Sequence, residues 1–164
     1  MSPIGLAKNL ALVLTGLGSA LVLAGCQPEP LRLCPLSANL AMPRPAFTVI
    51  DAHHPQYPGY QRIEVRERSE ACDNGRCSPL WQVDTTAASG PTAFFYGETP
   101  VGFELRQGPE PLSPGGKYRL EVSREALGSF AARGSLDFDV DPRGRIAIHL
   151  PPGAPPCQLE TDEE

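Results

Sequence analysis

Apolar and polar side chains alternate with a period of two along most of the chain. Phe47 and Val49 flank Thr48, and Ile63 and Val65 alternate with Arg62, Glu64 and Arg66. Trp81 and Val83 alternate with Gln82 and Asp84, and Val101, Phe103 and Leu105 with Glu104 and Arg106. Tyr118, Leu120 and Val122 alternate with Arg119 and Glu121. A period of two predicts strands with one buried face. The best-defined hairpin is centred on Asp141-Pro142-Arg143-Gly144, with Asp, Pro and Gly at the positions a type I turn prefers. A three-residue loop with Gly144 in the left-handed region pairs Val140 with Ile146, Phe138 with Ile148 and Leu136 with Leu150, so every apolar residue lands on one face. Helical periodicity is confined to Ser123-Arg124-Glu125-Ala126-Leu127, which Gly128 stops early. Short strands separated by Pro and Gly predict an all-β fold, an antiparallel two-sheet sandwich with a small β-barrel as the competitor.

The amino-terminal segment breaks this pattern. After Lys8, apolar and small residues run from 10 to 24 and close on Leu23-Ala24-Gly25-Cys26. The run is shorter than the ~20 residues a spanning helix needs, and it ends on small residues as a removable signal does. It resembles the signal peptide and lipobox of bacterial lipoproteins. The resemblance implies that residues 1–25 are removed and that Cys26 carries the acyl chains, two or three of which make membrane attachment stable. Gln27 follows, where an Asp would imply inner-membrane retention in many Gram-negative bacteria, so the outer membrane is the expected location, with the protein facing the periplasm.

The other four cysteines, Cys34, Cys72, Cys77 and Cys157, are an even set in a chain expected to meet an oxidising compartment, and predict two disulfides from three possible pairings. Cys72 and Cys77 bracket Asp73-Asn74-Gly75-Arg76, whose Asn-Gly centre suits a type I′ turn and would bring the two Cα atoms to about 4.5 Å. That leaves Cys34 for Cys157. A strict two-residue turn, however, sets Trp81 opposite Arg68 and Val83 opposite Arg66, so the apolar sets fall out of phase. Either a bulge at Ser78-Pro79 restores the phase or the flanking strands belong to different sheets. The second is the preferred reading.

Leu112-Ser113-Pro114-Gly115-Gly116-Lys117-Tyr118, leading into a strand, resembles the L-x-P-x-x-x-Y crossing of fibronectin type III and related immunoglobulin-like domains. The resemblance implies an immunoglobulin-like sandwich in which Tyr118 ties the turn between sheets through its hydroxyl, with Trp81 as the buried tryptophan. The expected organisation is a signal peptide over 1–25, a lipid-anchored Pro-rich tether over 26–45, a sandwich over 46–152 and a Pro-rich, acidic tail over 153–164. With Cys34 stapled to the body, the free tether is residues 27–33, roughly 20 Å at the polyproline rise, so the domain sits close to the membrane.

Charge and chemistry narrow the function. Acidic residues outnumber basic ones by 19 to 14, which disfavours nucleic acid as a partner, since it demands clustered Lys and Arg. The lipid anchor is then the expected link to the membrane. Asp137, Asp139 and Asp141 alternate like a calcium loop but lack its following Gly and twelfth-position Glu, and read as a solvated strand face. Asp51, His53 and His54 with His149 could suggest a metal, but adjacent histidines on an extended chain point apart. His149 falls opposite Asp137 as a cross-strand pair. No nucleophile elbow, zinc helix, Walker loop or dinucleotide turn occurs in the sequence, although a carboxylate pair could still assemble in space. The expected function is a binding or accessory module for an envelope protein or assembly, non-enzymatic, without metal or cofactor. The alternative is a small envelope hydrolase or a metal-handling lipoprotein. Tyr57 and Tyr60, with Phe94, Phe95 and Tyr96, are the candidate partner surface.

Overall fold

A computed structural model describes residues 30–36, 44–73, 77–124, 133–150, 152–154 and 157. The segments carrying Cys26, the Asn74-Gly75 turn, the expected helical turn after Arg124 and the acidic tail lie outside the described residues, wholly or in large part. Nine strands form two antiparallel sheets: β1 (Arg32–Pro35), β2 (Ala46–Ile50) and β5 (Ala93–Phe95) in the order β1-β2-β5, and a larger sheet ordered β6-β4-β3-β7-β8-β9. The larger sheet contains β3 (Arg62–Glu67), β4 (Trp81–Asp84), β6 (Glu104–Gln107), β7 (Lys117–Ser123), β8 (Arg133–Val140) and β9 (Ile146–His149). The fold is the expected sandwich and not a closed barrel. Its central order, β1-β2-β5 against β4-β3-β7-β8, is the order that immunoglobulin-like sandwiches give strands A-B-E and C′-C-F-G. β6 and β9 extend the second sheet at its two edges, and Trp81 sits on the C′-like strand instead of the C-like one.

Aromatic contacts weld the layers. Phe47 of β2 meets Phe94 at 6.0 Å and Phe138 of β8 at 5.6 Å between ring centroids. Phe138 stacks on Tyr118 at 5.4 Å, while Trp81 meets Phe94 at 6.1 Å and Tyr96 edge-on at 5.4 Å. Such pairs contribute about 0.5–1.5 kcal/mol each beyond the area they bury.

The β8–β9 hairpin has the predicted register, with Val140 opposite Ile146, Phe138 opposite Ile148 and Gly144 at φ 78°. Tyr118 also takes its expected place. Its hydroxyl accepts a hydrogen bond from the Ser113 backbone N–H at 2.7 Å, and a Cβ at Gly116 would fall 2.1 Å from that oxygen, so the motif's glycine makes room for the ring.

Three expectations need correction. β3 and β4 belong to one sheet, not two. Val65 pairs with Trp81 and Ile63 with Val83, a register three positions away from that of a two-residue turn, and an odd shift reverses the face and restores the phase. Residues 68–80 accommodate it as an excursion outside the ladder, which includes a helical turn, α1 (Glu70–Asp73). Second, Val101 and Leu105 do not share a buried face with Phe103: Phe103 is buried, while Val101 is fully exposed and Leu105 is 48% exposed. β6 lies at the edge of a six-stranded sheet faced by only three strands, so nothing covers it. Third, the sandwich starts before residue 46. Arg32–Pro35 pairs along its length with β2, and Leu31 and Leu33 are core residues.

Both disulfides have the expected partners, Cys34 with Cys157 at a Cα separation of 5.7 Å and Cys72 with Cys77 at 4.7 Å. Loop-closure entropy makes their contributions unequal. Removing the long-range pair as Cys34→Ala with Cys157→Ala should cost about 5 kcal/mol, and removing the local pair as Cys72→Ala with Cys77→Ala about 2 kcal/mol. Urea unfolding of the two variants tests this, and equal losses would show that the long staple does not act through the unfolded chain.

Candidate functional site

The outer faces of the two sheets differ in chemistry. In the large sheet the residues alternating with the core are Arg62, Glu64 and Arg66 on β3, Asp84 on β4, Arg119 and Glu121 on β7, and Asp137 and Asp139 on β8. Arg119 binds Asp137 with both nitrogens of a fork, at 2.7 and 3.2 Å, and Arg68 reaches the same carboxylate at 3.1 Å. His149 is opposite Asp137 in the ladder as predicted, but its Nε2 contacts the diagonal Asp139 at 2.9 Å. Asp141 pairs with Arg145. Each of the three aspartates is therefore engaged by a basic side chain.

Glu64 and Glu121 stand directly opposite each other on the neighbouring β3 and β7. Arg66 holds Glu64 in a bidentate grip at 2.9 and 3.2 Å, and its remaining nitrogen donates to the Cys77 carbonyl at 2.7 Å, tying the disulfide loop to the sheet. Burial, then the charge and hydrogen bond of Glu64, push the Glu121 carboxyl above its ordinary value, against the pull of Arg119 and Arg133. The pair borders a concavity of about 380 Å³.

A second concavity of about 380 Å³ opens at one end of the sandwich, lined by His54, Tyr57, Gln61, Ser89 and Arg124. It is organised by Asp51, which is only 6% exposed. One carboxylate oxygen accepts from the backbone N–H groups of His53 and His54 at 3.0 and 3.2 Å, and the other accepts from Gly59 N–H at 3.0 Å. Burial opposes ionisation of Asp51, but the three backbone donors and nearby His54 outweigh it and hold the carboxyl below its usual value. Arg124 donates to the Gly59 carbonyl at 2.6 Å and approaches Asp51 at 3.6 Å. A Cβ on Gly59 would lie 1.3 Å from this guanidinium, so the contact requires glycine.

The predicted partner residues separate. Tyr57 is 70% exposed on the rim of this concavity, and Phe95 is 43% exposed on the outside of the small sheet. Tyr60, Phe94 and Tyr96 are core residues and face no partner. The Tyr60 hydroxyl donates to the Pro91 carbonyl at 2.6 Å, which holds the 51–60 loop against the 85–91 loop. Asp51 and the two histidines form the expected loop, but the buried carboxylate at its centre was not foreseen from sequence. The Glu64–Glu121 pair and the Arg124–Gly59 contact also escaped the sequence reading. Among the described residues no three His, Cys, Asp or Glu side chains converge as a metal set would. Comparison with protein-family models, curated proteins and solved structures finds no match to this chain.

Two substitutions test the electrostatics. Glu121→Gln should stabilise the fold at pH 7 by up to about 1 kcal/mol by removing a directly opposed like charge. Because the folded-state value of Glu121 is raised, wild type recovers this stability as pH falls through that value toward 4.5, so the advantage of the variant should shrink on acidification. Urea unfolding at several pH values measures it. Asp51→Ala strands buried backbone donors and should cost about 1–3 kcal/mol, with faster amide exchange at His53, His54 and Gly59.

Proposed function

We propose that the chain is a lipid-anchored cell-envelope lipoprotein that acts as a binding or accessory module for an envelope protein or assembly. The observation that carries this reading is the disposition of the five cysteines. Four close two disulfides in the folded domain, as suits an oxidising compartment. The fifth, Cys26, is the one preceded by Leu23-Ala24-Gly25 and an apolar run. Acylation of that thiol accounts for the odd count, and Gln27 favours the outer membrane.

Binding is preferred to catalysis because the acidic and basic groups on the large sheet are committed to one another, and because the end concavity is shallow with an exposed aromatic at its rim. A largely exposed tyrosine in a loop hydrogen-bonded to a buried carboxylate is the kind of side chain that anchors protein interfaces.

Cys26→Ala should abolish incorporation of labelled palmitate and move the protein from the membrane to the soluble envelope fraction. Retention in the membrane fraction would overturn the anchor. A photo-crosslinking residue at position 57 in the wild-type background should give one discrete adduct in whole cells, and one at position 105 should not. Equal adducts from both positions would remove the end concavity as the partner surface.

A further inference from the structure

Among the described strand residues, those on the outer side of the small sheet include no acidic residue. In β2, Phe47 and Val49 are in the core, so Thr48 and Ile50 face outward, and Ala46 lies on the same side although it is buried. The register places Arg32 opposite Ile50, Cys34 opposite Thr48, Phe95 opposite Ala46 and Ala93 opposite Thr48, all on that outer side, where Cys34 is itself covered and carries the disulfide to Cys157. Leu36 continues this side, with its N–H bonded to the Ala46 carbonyl. Leu36, Ile50 and Phe95 are 42%, 38% and 43% exposed. Among the described strand residues this side otherwise carries Arg32, Thr48 and Ala93, with the Arg44–Glu98 ion pair beyond the ends of β2 and β5. The opposite side of the sandwich is a lattice of ion pairs.

We infer that the outer face of β1, β2 and β5 lies flat on the bilayer to which Cys26 is anchored, with Leu36, Ile50 and Phe95 in the interfacial layer. The inference rests on the proposed acylation of Cys26. Its geometric basis is the reach of the chain. Leu31 is 5% exposed, belongs to the core, and its carbonyl lies where a Cβ on Gly134 of β8 would come within 2.4 Å. Between Cys26 and this fixed point the chain extends no farther than about 18 Å, at 3.6 Å per residue. The domain is therefore held against the membrane surface, and some face must meet it. Turning the large sheet inward would desolvate its charges. The small sheet presents exposed apolar area at Leu36, Ile50 and Phe95, which favours the bilayer interface. It also begins at β1, the first strand after the anchor.

Hydroxyl-radical footprinting of the acylated protein on phosphatidylethanolamine–phosphatidylglycerol vesicles tests this against the unacylated Cys26→Ala protein in solution. Oxidation at Leu36, Ile50 and Phe95 should fall severalfold on vesicles, while Val101 and Leu105 on the far edge of the large sheet react as in solution. Ile50→Glu with Phe95→Glu, both outward-facing, should remove the protection at Leu36 while leaving acylation and the circular dichroism spectrum intact. Acylated, vesicle-bound protein with unchanged oxidation on this face would sink the inference and leave the anchor standing. A Cys26 found unmodified by mass spectrometry would sink both. Concentration-dependent protection of the same face in the soluble Cys26→Ala protein, with a dimer in sedimentation, would overturn the bilayer as occupant in favour of a second copy.

Discussion

Three strands have to seal the core of a six-stranded sheet, and most of the molecule follows from that mismatch. The small sheet covers the middle of the large one, where β3, β7 and β8 bury Ile63, Val65, Leu120, Val122, Leu136 and Phe138 essentially completely. It achieves this with few residues by making them large. Phe47 and Phe94 project from β2 and β5 into the space between layers and touch Phe138 and Trp81. Aromatic side chains suit the task because each buries 150–250 Å² while fixing only two torsions. The overhanging strands pay for the mismatch: β6 is exposed at every position, and Ile146 and Ile148 of β9 are only partly covered.

A small sheet that seals so much must itself be held in place, and the chain does this covalently. Cys34 lies on β1, the edge strand of the small sheet, and its bond to Cys157 spans a sequence separation of 123 in a chain of 164 residues. Leu31 and Gly134 bring β1 against β8 at the seam between layers. The Cys72–Cys77 bond has a more local task. It closes the excursion that lets β3 and β4 pair three positions away from a tight turn, and Arg66 links that loop back to Glu64 on the sheet.

The legible parts of the fold were those in which a local rule and the side-chain phase agree. Asp141-Pro142-Arg143-Gly144 specifies a turn, and the alternation on either side of it requires the same register, so the β8–β9 hairpin could be written from sequence alone. Tyr118 was legible because its corner is closed within a few residues. β1 was not. Leu31 and Leu33 alternate with Arg32, but the surrounding prolines suggested an extended tether, and only a partner strand distinguishes the two states. β6 failed for a related reason: its alternation is real, but whether a face is buried depends on the width of the opposing sheet, which the segment does not encode. The Glu64–Glu121 pair depends on β3 lying beside β7, a long-range pairing invisible to a reading of either strand. Asp51 was placed correctly in a loop, yet the donors that bury it come from the fold of residues 53–59.

The contrast between the outer faces bears on the membrane orientation proposed for this domain. On the large sheet, acidic and basic side chains are interspersed across β4, β3, β7 and β8, a charged face that resists sheet-on-sheet association. Two like-charge pairs interrupt this, Arg66 opposite Arg119 and Glu64 opposite Glu121. The second is kept tolerable by the Arg66 fork and by the proton affinity that burial and proximity give Glu121, and its cost falls on stability. Ile50, Leu36 and Phe95 leave apolar area uncovered on the opposite side. A polar back and an apolar front give the sandwich a direction, and a short leash at β1 is enough to turn that direction into an orientation.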